Sequence, residues 1–99
     1  MSETKVSSED PIIAKWEAHL EEEGFHEKWM HTDAPEYEYS EHTHPVDTTY
    51  VVLQGSMVVH IGEVEREVGP GNRFDVPKHT LHRAKVGPKG ATFLIGVKV

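Results

Sequence analysis

The first regular pattern along the chain is a set of apolar residues at helical spacing: Ile12, Ile13, Trp16 and Leu20. Such spacing places the apolar side chains on one face of a helix. Asp10 followed by Pro11 is typical of a helix N-cap and first turn, and Gly24 suits the position just after a last turn. The pattern therefore predicts a helix over residues 11–23, packed against the outside of the rest of the chain. Residues 1–10 are polar and predict a flexible tail.

From Gly24 onward the pattern shortens to the alternation that is typical of strands. Turn segments rich in glycine and proline, among them residues 54–55, 69–72 and 87–90, separate short runs of β-branched and aromatic residues. The predicted strands are 25–31, 37–44, 48–53, 56–61, 65–68, 73–76, 81–86 and 91–99. Many short, closely spaced strands are typical of a closed all-β fold, so residues 25–99 predict a single β-barrel.

Composition narrows the class of protein. A length of 99 residues corresponds to one domain, which we place at residues 11–99. The 10 basic and 17 acidic residues give a net charge of −7, which argues against nucleic acid and anionic membranes as partners. The chain contains no cysteine, so disulfides and thiolate metal ligands are excluded, and a cytoplasmic location is expected. No apolar run is long enough to span a bilayer.

Three histidines are candidate metal ligands. His42 and His44 are two residues apart, so on a strand both imidazoles point to the same face. His82 follows a second segment of extended character. If the three converge, they form a seat for a divalent transition metal, and nitrogen ligands favour Fe, Zn, Ni or Cu over Mg and Ca.

These residues and their spacing resemble the two sequence motifs of the cupin family, whose fold is a small β-barrel of the jelly-roll type. The first motif is G-x5-H-x-H-x(3,4)-E-x6-G, and here it reads Glu36, five residues, His42-Thr43-His44, three residues, Thr48, six residues, Gly55. The second is G-x5-P-x-G-x2-H-x3-N, and here it reads Gly71, five residues, Pro77-Lys78-His79, two residues, His82, three residues, Val86. The resemblance covers residues 35–97. It implies an all-β, jelly-roll-type cupin barrel with one helix packed outside, and metal-ligand roles for His42, His44 and His82.

The chain also departs from the motifs. Thr48 replaces the glutamate that usually supplies a fourth protein ligand, while Glu36, His79 and Val86 replace two glycines and an asparagine. The ligand roles therefore carry over to the three histidines alone. Such a set leaves the charge of a metal unneutralised and favours an anionic ligand. Asp47 would become a ligand only after a shift of register, so a solvated turn residue is the favoured interpretation.

A second group of candidates has less specific signals. His79, on the turn before His82, is a candidate acid/base catalyst or fourth ligand, with Tyr50 as a catalytic partner. An exposed turn residue is the alternative for His79. His60 is predicted to face outward, because it alternates with apolar neighbours on its strand. Three further histidines are predicted to be surface or packing residues: His19, His26 and His31.

The resemblance implies a metal-dependent enzyme acting on a small molecule. The three-histidine set is similar to the iron site of small thiol dioxygenases in the superfamily. Two alternatives stay open: a non-enzymatic barrel that binds or senses a small molecule, and a metal-free isomerase or epimerase that uses His79 with a tyrosine. Family members commonly dimerise, and the apolar last strand is predicted to be an edge that needs cover. A homodimer is therefore expected.

Overall fold

The structure, a computed structural model, describes residues 10–99. Its elements in chain order are α1 Pro11–Glu22, β1 Glu27–Asp33, β2 Glu38–His42, β3 Thr48–Ile61, β4 Val64–Val68, β5 Arg73–Val76 and β6 His82–Val97. All strand pairs are antiparallel. The predicted all-β architecture with one N-terminal helix is confirmed. Apart from Asp10, the predicted tail lies outside the described residues.

Local chemistry accounts for both ends of α1. The carboxylate of Asp10 accepts a hydrogen bond from a backbone N–H of the first turn at 3.0 Å, as an N-cap does. At the other end Gly24 has a φ of 101°, a left-handed conformation that glycine adopts without a steric penalty. The N–H of Phe25 then returns to the carbonyl of Leu20 at 3.0 Å. The helix ends at Glu22, one residue before the predicted end.

The two long strands β3 and β6 form the centre of the sheet, whose order is β1-β6-β3-β4. The first half of β3 pairs with β5 and the second half with β4. Likewise, the first half of β6 pairs with β2 and the second half with β1. The sheet thus has two halves that share β3 and β6, and side chains from both halves line one interior cavity. This arrangement agrees with the predicted jelly-roll type, although the described strands do not close into a complete barrel.

The glycine and proline residues at 54–55 and 87–90 predict turns, and both predictions are wrong. Each segment lies inside a continuous strand, and the register between β3 and β6 shifts at this place. Gly55 has a φ of 76°, and a Cβ added to it would lie 1.9 Å from the carbonyl oxygen of Gly90. Gly55 and Gly90 therefore allow the two paired strands to bend and to approach each other closely at this point. Local sequence does not distinguish such a bulge from a chain reversal.

Other strand predictions also need correction. β1 covers residues 27–33 where residues 25–31 are predicted, and β2 covers residues 38–42 where residues 37–44 are predicted. The last strand, β6, has partners on both sides, so the prediction that it forms an exposed edge is wrong. In the part of the chain that the structure describes, the edges of the sheet order are β1 and β4.

Alternate residues of β3 and β6 face two different cores. Under α1 lies a small buried cluster of Leu20, Phe25, Val51 and Leu94, so the helix packs outside the sheet as predicted. The larger cluster lies between the two halves of the sheet and contains Val52, Met57, Val59, Val68, Phe74, Val76, Val86, Ala91 and Phe93. Among residues 10–99, no helix has the length and apolar character needed to cross a membrane.

Candidate metal centre

The three histidines singled out by the motif spacing come together at the interior cavity. His42 ends β2 and lies directly opposite His82, the first residue of β6, in the strand register. The ring centroids of His42 and His82 are 4.2 Å apart, and each lies 4.8 Å from the ring of His44. One ligand atom from each residue lies within 4.8 Å of the others. The predicted convergence is confirmed, and we call these residues the histidine trio.

Backbone carbonyls orient two members of the trio. Nδ1 of His42 lies 2.6 Å from the carbonyl oxygen of Ser40, and Nδ1 of His82 lies 3.0 Å from that of Thr80. Because a carbonyl oxygen only accepts, Nδ1 of each neutral ring carries the hydrogen and Nε2 keeps its lone pair. Histidines that bind metals in proteins usually have their second ring nitrogen held in this way.

Nε2 of His82 is the atom that points most specifically to a metal. The residue is buried, with 4% of its surface exposed, and Nε2 has no hydrogen-bond partner in the described structure. Leaving a buried polar atom unpaired costs on the order of 1–3 kcal/mol, so such an atom calls for an explanation. A metal ion would accept this lone pair. The nitrogen donors of the trio fit Fe, Zn, Ni or Cu.

The third member, His44, contacts Tyr50. Nε2 of His44 and the hydroxyl of Tyr50 are 3.1 Å apart. Burial raises the pKa of Tyr50 to about 12, so this hydroxyl keeps its proton at neutral pH. In the tautomer that leaves the Nδ1 lone pair free for a metal, Nε2–H of His44 donates to the hydroxyl oxygen of Tyr50. Tyr50 therefore lies beside the trio and also lines the cavity. Its catalytic role stays a prediction.

The environment of His44 and His82 favours their uncharged forms. Burial lowers the pKa of His44, and repulsion from the neighbouring imidazoles acts in the same direction. Burial also lowers the pKa of His82, although its hydrogen bond to the carbonyl of Thr80 opposes the shift. Neutral imidazoles are the form that binds metals, so these surroundings favour metal binding.

The position of the usual fourth ligand supplies no carboxylate. The hydroxyl of Thr48 donates to the carbonyl of Val46 at 3.2 Å. The neighbouring Asp47 accepts a hydrogen bond from the backbone N–H of Lys78 at 2.8 Å, which braces the turn before β6. Within residues 10–99, the cluster able to hold a metal consists of the trio alone. A metal there would keep its full charge and have positions open to a ligand.

A cavity of about 220 Å³ adjoins the trio. Most of its wall is apolar or aromatic, and the ring of Tyr50 stacks on that of Phe74 with centroids 4.7 Å apart. No lysine or arginine is among the described residues that line it. A bound anion would therefore depend on the metal for charge compensation. The lining residues outside the trio are Trp29, His31, Tyr39, Tyr50, Met57, Phe74, Ala84, Phe93 and Ile95.

Two further predicted histidine positions lie away from the cavity. His79 is exposed, and the structure does not place it among the lining residues. Its backbone N–H donates to the carbonyl of His44 at 2.8 Å, so it braces the trio through the main chain. The acid/base role of its side chain stays a prediction. His60 faces away from the cavity, as expected, with Nε2 3.2 Å from the carboxylate of Glu65.

A second polar group on the cavity wall is absent from the sequence-based predictions. His31, predicted to be a surface or packing residue, lines the cavity together with Tyr39. Its Nε2 lies 2.8 Å from one carboxylate oxygen of Asp33, and the other oxygen accepts a short hydrogen bond from the hydroxyl of Tyr39. Alternation along β1 puts Trp29, His31 and Asp33 on one face. Extending the predicted strand by two residues would have revealed this signal.

The fold and the trio agree with the comparison to known families. The cupin domain family matches residues 29–95, which is more than half of the chain and includes the trio. The chain therefore belongs to the cupin family. No curated protein matches it.

Solved structures show the same fold at low sequence identity. The protein KdgF from Halomonas sp. is 23% identical with a TM-score of 0.64, over 73% of this chain and 67% of that one. A cupin superfamily protein from Desulfitobacterium hafniense is 24% identical with a TM-score of 0.66, over 73% and 65% of the two chains. The DMSP lyase DddQ from Ruegeria pomeroyi is 20% identical with a TM-score of 0.67, over 73% and 37%. Part of each relative thus has no counterpart here.

Proposed function

We propose that this cupin is a metal-dependent enzyme in which His42, His44 and His82 hold one divalent transition metal and the cavity holds a small substrate. The observation that carries the proposal is the buried, unpaired Nε2 of His82 beside two further imidazoles. A purely structural histidine at this depth would be expected to find a hydrogen-bond partner.

A metal in this site supplies a Lewis acid for an anionic group or, in the case of iron, redox chemistry with dioxygen. The chain's own residues do the rest. The aromatic wall offers an apolar surface to the substrate, and the hydroxyl of Tyr50 lies beside the trio. Because no cationic side chain among the described residues lines the cavity, the preferred substrate is a small molecule that combines one metal-chelating anionic group with an apolar part.

Metal analysis tests the site directly. The protein purified without chelator is expected to contain about one Fe, Zn, Ni or Cu ion per chain, and His82→Ala is expected to lose it. Thermal unfolding with added metal gives a second measurement. At a free metal concentration about a hundredfold above Kd, the wild-type protein should gain about 2.7 kcal/mol.

The matched control is His60→Ala, which removes a histidine of β3 that faces away from the cavity. This variant should keep the metal and the full thermal shift. A wild-type protein that binds none of the four metals would contradict the proposal. A His82→Ala variant that keeps the ion would contradict the ligand assignment.

Oxygen uptake separates the dioxygenase type from other metal-dependent reactions. The iron-loaded protein is expected to consume dioxygen when supplied with small thiol-containing carboxylates, while the His82→Ala variant does not. Metal binding without turnover of any such compound would instead favour the barrel that binds or senses a small molecule.

The expected partners follow from the same reasoning. We propose that the protein binds a small-molecule ligand and forms a homodimer, and that it has no nucleic acid or membrane partner. The strands β1 and β4, which lie at the two edges of the sheet order, offer unpaired backbone groups to a second copy. A monomer mass by light scattering would contradict the dimer.

A further inference from the structure

Outside the trio, His31 on β1 and Tyr39 on β2 line the cavity, and both hydrogen-bond to the buried carboxylate of Asp33. Asp33 ends β1 and its side chain is 8% exposed, while the His31 side chain is 44% exposed and lies at the rim. The two carboxylate oxygens of Asp33 have different partners, Nε2 of His31 at 2.8 Å and the hydroxyl of Tyr39. We call these residues the β1–β2 triad.

The hydrogen bonds assign a proton to each partner of Asp33. Burial raises the pKa of Tyr39 well above its usual value, and the hydrogen bond to Asp33 adds to the shift. The phenol therefore stays protonated and donates. The carboxylate can then accept the Nε2 hydrogen of a neutral His31, which leaves the lone pair on Nδ1. An imidazole in this form is prepared to take up a proton.

Backbone packing holds the buried carboxylate in place. Asp33 pairs with Ala91 of β6. A Cβ added to the adjacent Gly90 would lie 2.8 Å from the carbonyl oxygen of Asp33. The bend in β6 thus approaches the end of β1 as closely as glycine permits. A carboxylate on such a support holds the ring it contacts in a defined orientation.

Two members of the triad, His31 and Tyr39, line the same cavity as the histidine trio. Tyr39 lies on the strand that ends in His42, and the two ring centroids are 6.4 Å apart. The ring centroids of His31 and Phe93 are 5.5 Å apart, and those of Phe93 and Tyr50 are 5.9 Å apart. A ligand a few atoms long, anchored at the trio, could therefore reach His31 along an apolar wall.

We propose that His31 is a catalytic base that removes a proton from a carbon of the anchored ligand, and that Asp33 is the residue that positions it. This inference rests on the proposed metal site, because the ligand must be anchored there. The substrate class is a small 2-oxo acid, whose carboxylate and carbonyl oxygens chelate a metal and whose adjacent C–H is acidic. The C–H bond breaks, the proton moves to Nδ1 of His31, and the electron pair stays on the ligand. Exposure of His31 at the rim lets the proton exchange with water.

Hydrogen–deuterium exchange tests this step without an oxidant. The zinc-loaded, full-length protein is incubated with pyruvate in D2O under argon, and loss of the methyl proton signal is followed by NMR. The wild-type protein should exchange the methyl protons faster than free zinc at the same concentration. His31→Gln should lower the rate roughly a hundredfold or more, the scale of a general base. His60→Gln, which removes a histidine paired with a carboxylate outside the cavity, should leave it unchanged.

Asp33→Asn tests the positioning role with a measurement that is independent of turnover. In the wild-type protein, the ¹⁵N spectrum of the His31 ring should show hydrogen on Nε2 and a lone pair on Nδ1. Asp33→Asn should mix the two tautomers and lower the exchange rate, while leaving zinc content unchanged. An unaltered tautomer would overturn the role of Asp33.

Zinc content measured on the same samples separates the possible failures. If zinc is bound but the wild-type protein exchanges no faster than free zinc, or His31→Gln exchanges at the wild-type rate, the inference about His31 is overturned and the metal site stands. If no metal is bound, both proposals are overturned.

Discussion

The two faces of the paired strands β3 and β6 bury different kinds of side chain. On the helix face, Leu94 packs against Leu20 and Phe25 in a fully apolar cluster, and Leu94 has no exposed surface. On the cavity face, the next residue, Ile95, borders a cavity of about 220 Å³. There the buried Nε2 of His82 has no partner among the described residues. One face of the two strands thus carries a packed apolar cluster, while the other combines the larger apolar cluster with an open cavity and the trio.

This difference separates stability from chemistry within one short chain. Burial of apolar surface contributes roughly 25 cal/mol per Å² to the free energy of folding. On the helix face, the residues of the cluster under α1 are almost completely buried. The cavity face leaves space unfilled and lone pairs unpaired, which lowers stability but keeps ligand positions open. Substitutions on the helix face should therefore change the free energy of unfolding. Substitutions on the cavity face should mainly change metal and ligand binding.

The largest expected effect is on the helix face. Leu94→Ala should lower the free energy of unfolding by roughly 3–5 kcal/mol, because it opens a cavity in a filled cluster. Ile95→Ala, one residue along the same strand, should cost less, because Ile95 is only partly buried and already borders open space. Urea denaturation of the two metal-free variants measures both values. Equal losses would mean that the two faces do not differ in packing.

The next effect concerns the bend where the two halves of the sheet meet. Gly55→Ala should cost roughly 2–4 kcal/mol, from a left-handed backbone and a Cβ that collides with the carbonyl of Gly90. Gly62 also has a positive φ but has nothing within 4 Å of the added Cβ. Gly62→Ala should therefore cost only about 1–2 kcal/mol. Equal losses in urea denaturation would show that close approach at the bend has no energetic role.

A smaller change in stability is expected at the trio itself. His82→Leu removes the unpaired Nε2, so the metal-free variant should unfold within about 1 kcal/mol of the wild-type protein. The variant should also lose the thermal shift with added zinc. A loss of stability as large as that of Leu94→Ala would instead assign His82 to the structural core.

The smallest effect is a pH dependence of the metal-free protein. His44 and His82 have pKa values below the 6.5 of an unfolded histidine, with burial as the main cause. As pH falls through about 6.5, the unfolded chain takes up protons that these folded residues do not. The contribution of these two histidines to stability is therefore complete above pH 6.5 and is lost as the pH falls below that value. The slope is at most about 1.4 kcal/mol per pH unit for each proton.

His82→Leu provides the control for this pH dependence, because it removes one of the two groups. Its urea midpoint should fall less steeply than that of the wild-type protein between neutral and mildly acidic pH. Identical slopes would contradict the contribution of His82.

Some features of the fold were accessible from local patterns. The N-cap at Asp10 and the glycine at Gly24 depend on the nearest residues, so both ends of α1 were predicted within one residue. The bend at Gly55 was not, because it depends on Gly90, which is distant in the chain and adjacent in space. A glycine in the sequence shows that an unusual backbone conformation is permitted, but it does not show which contact requires that conformation.

The site divides in the same way. The trio was predicted because its members occupy regular positions in two recognisable motifs. Strand alternation does not account for the position of His44, because β2 ends at His42. The β1–β2 triad was missed because β1 was predicted to end at His31. Asp33 therefore fell in a presumed turn, and its hydrogen bond to Tyr39 crosses between strands.

The sequence by itself determined the all-β class, the outer helix, the cupin family and the identity of the three histidines that converge at the cavity. These features follow from local spacing, since periodicity, capping and motif intervals are properties of neighbouring residues. Only the tertiary structure decided that β3 and β6 are continuous, that Nε2 of His82 is buried without a partner, and that His31, Asp33 and Tyr39 meet at the cavity. The physical reason is that burial and hydrogen bonding between distant strands are set by the packing of the whole chain.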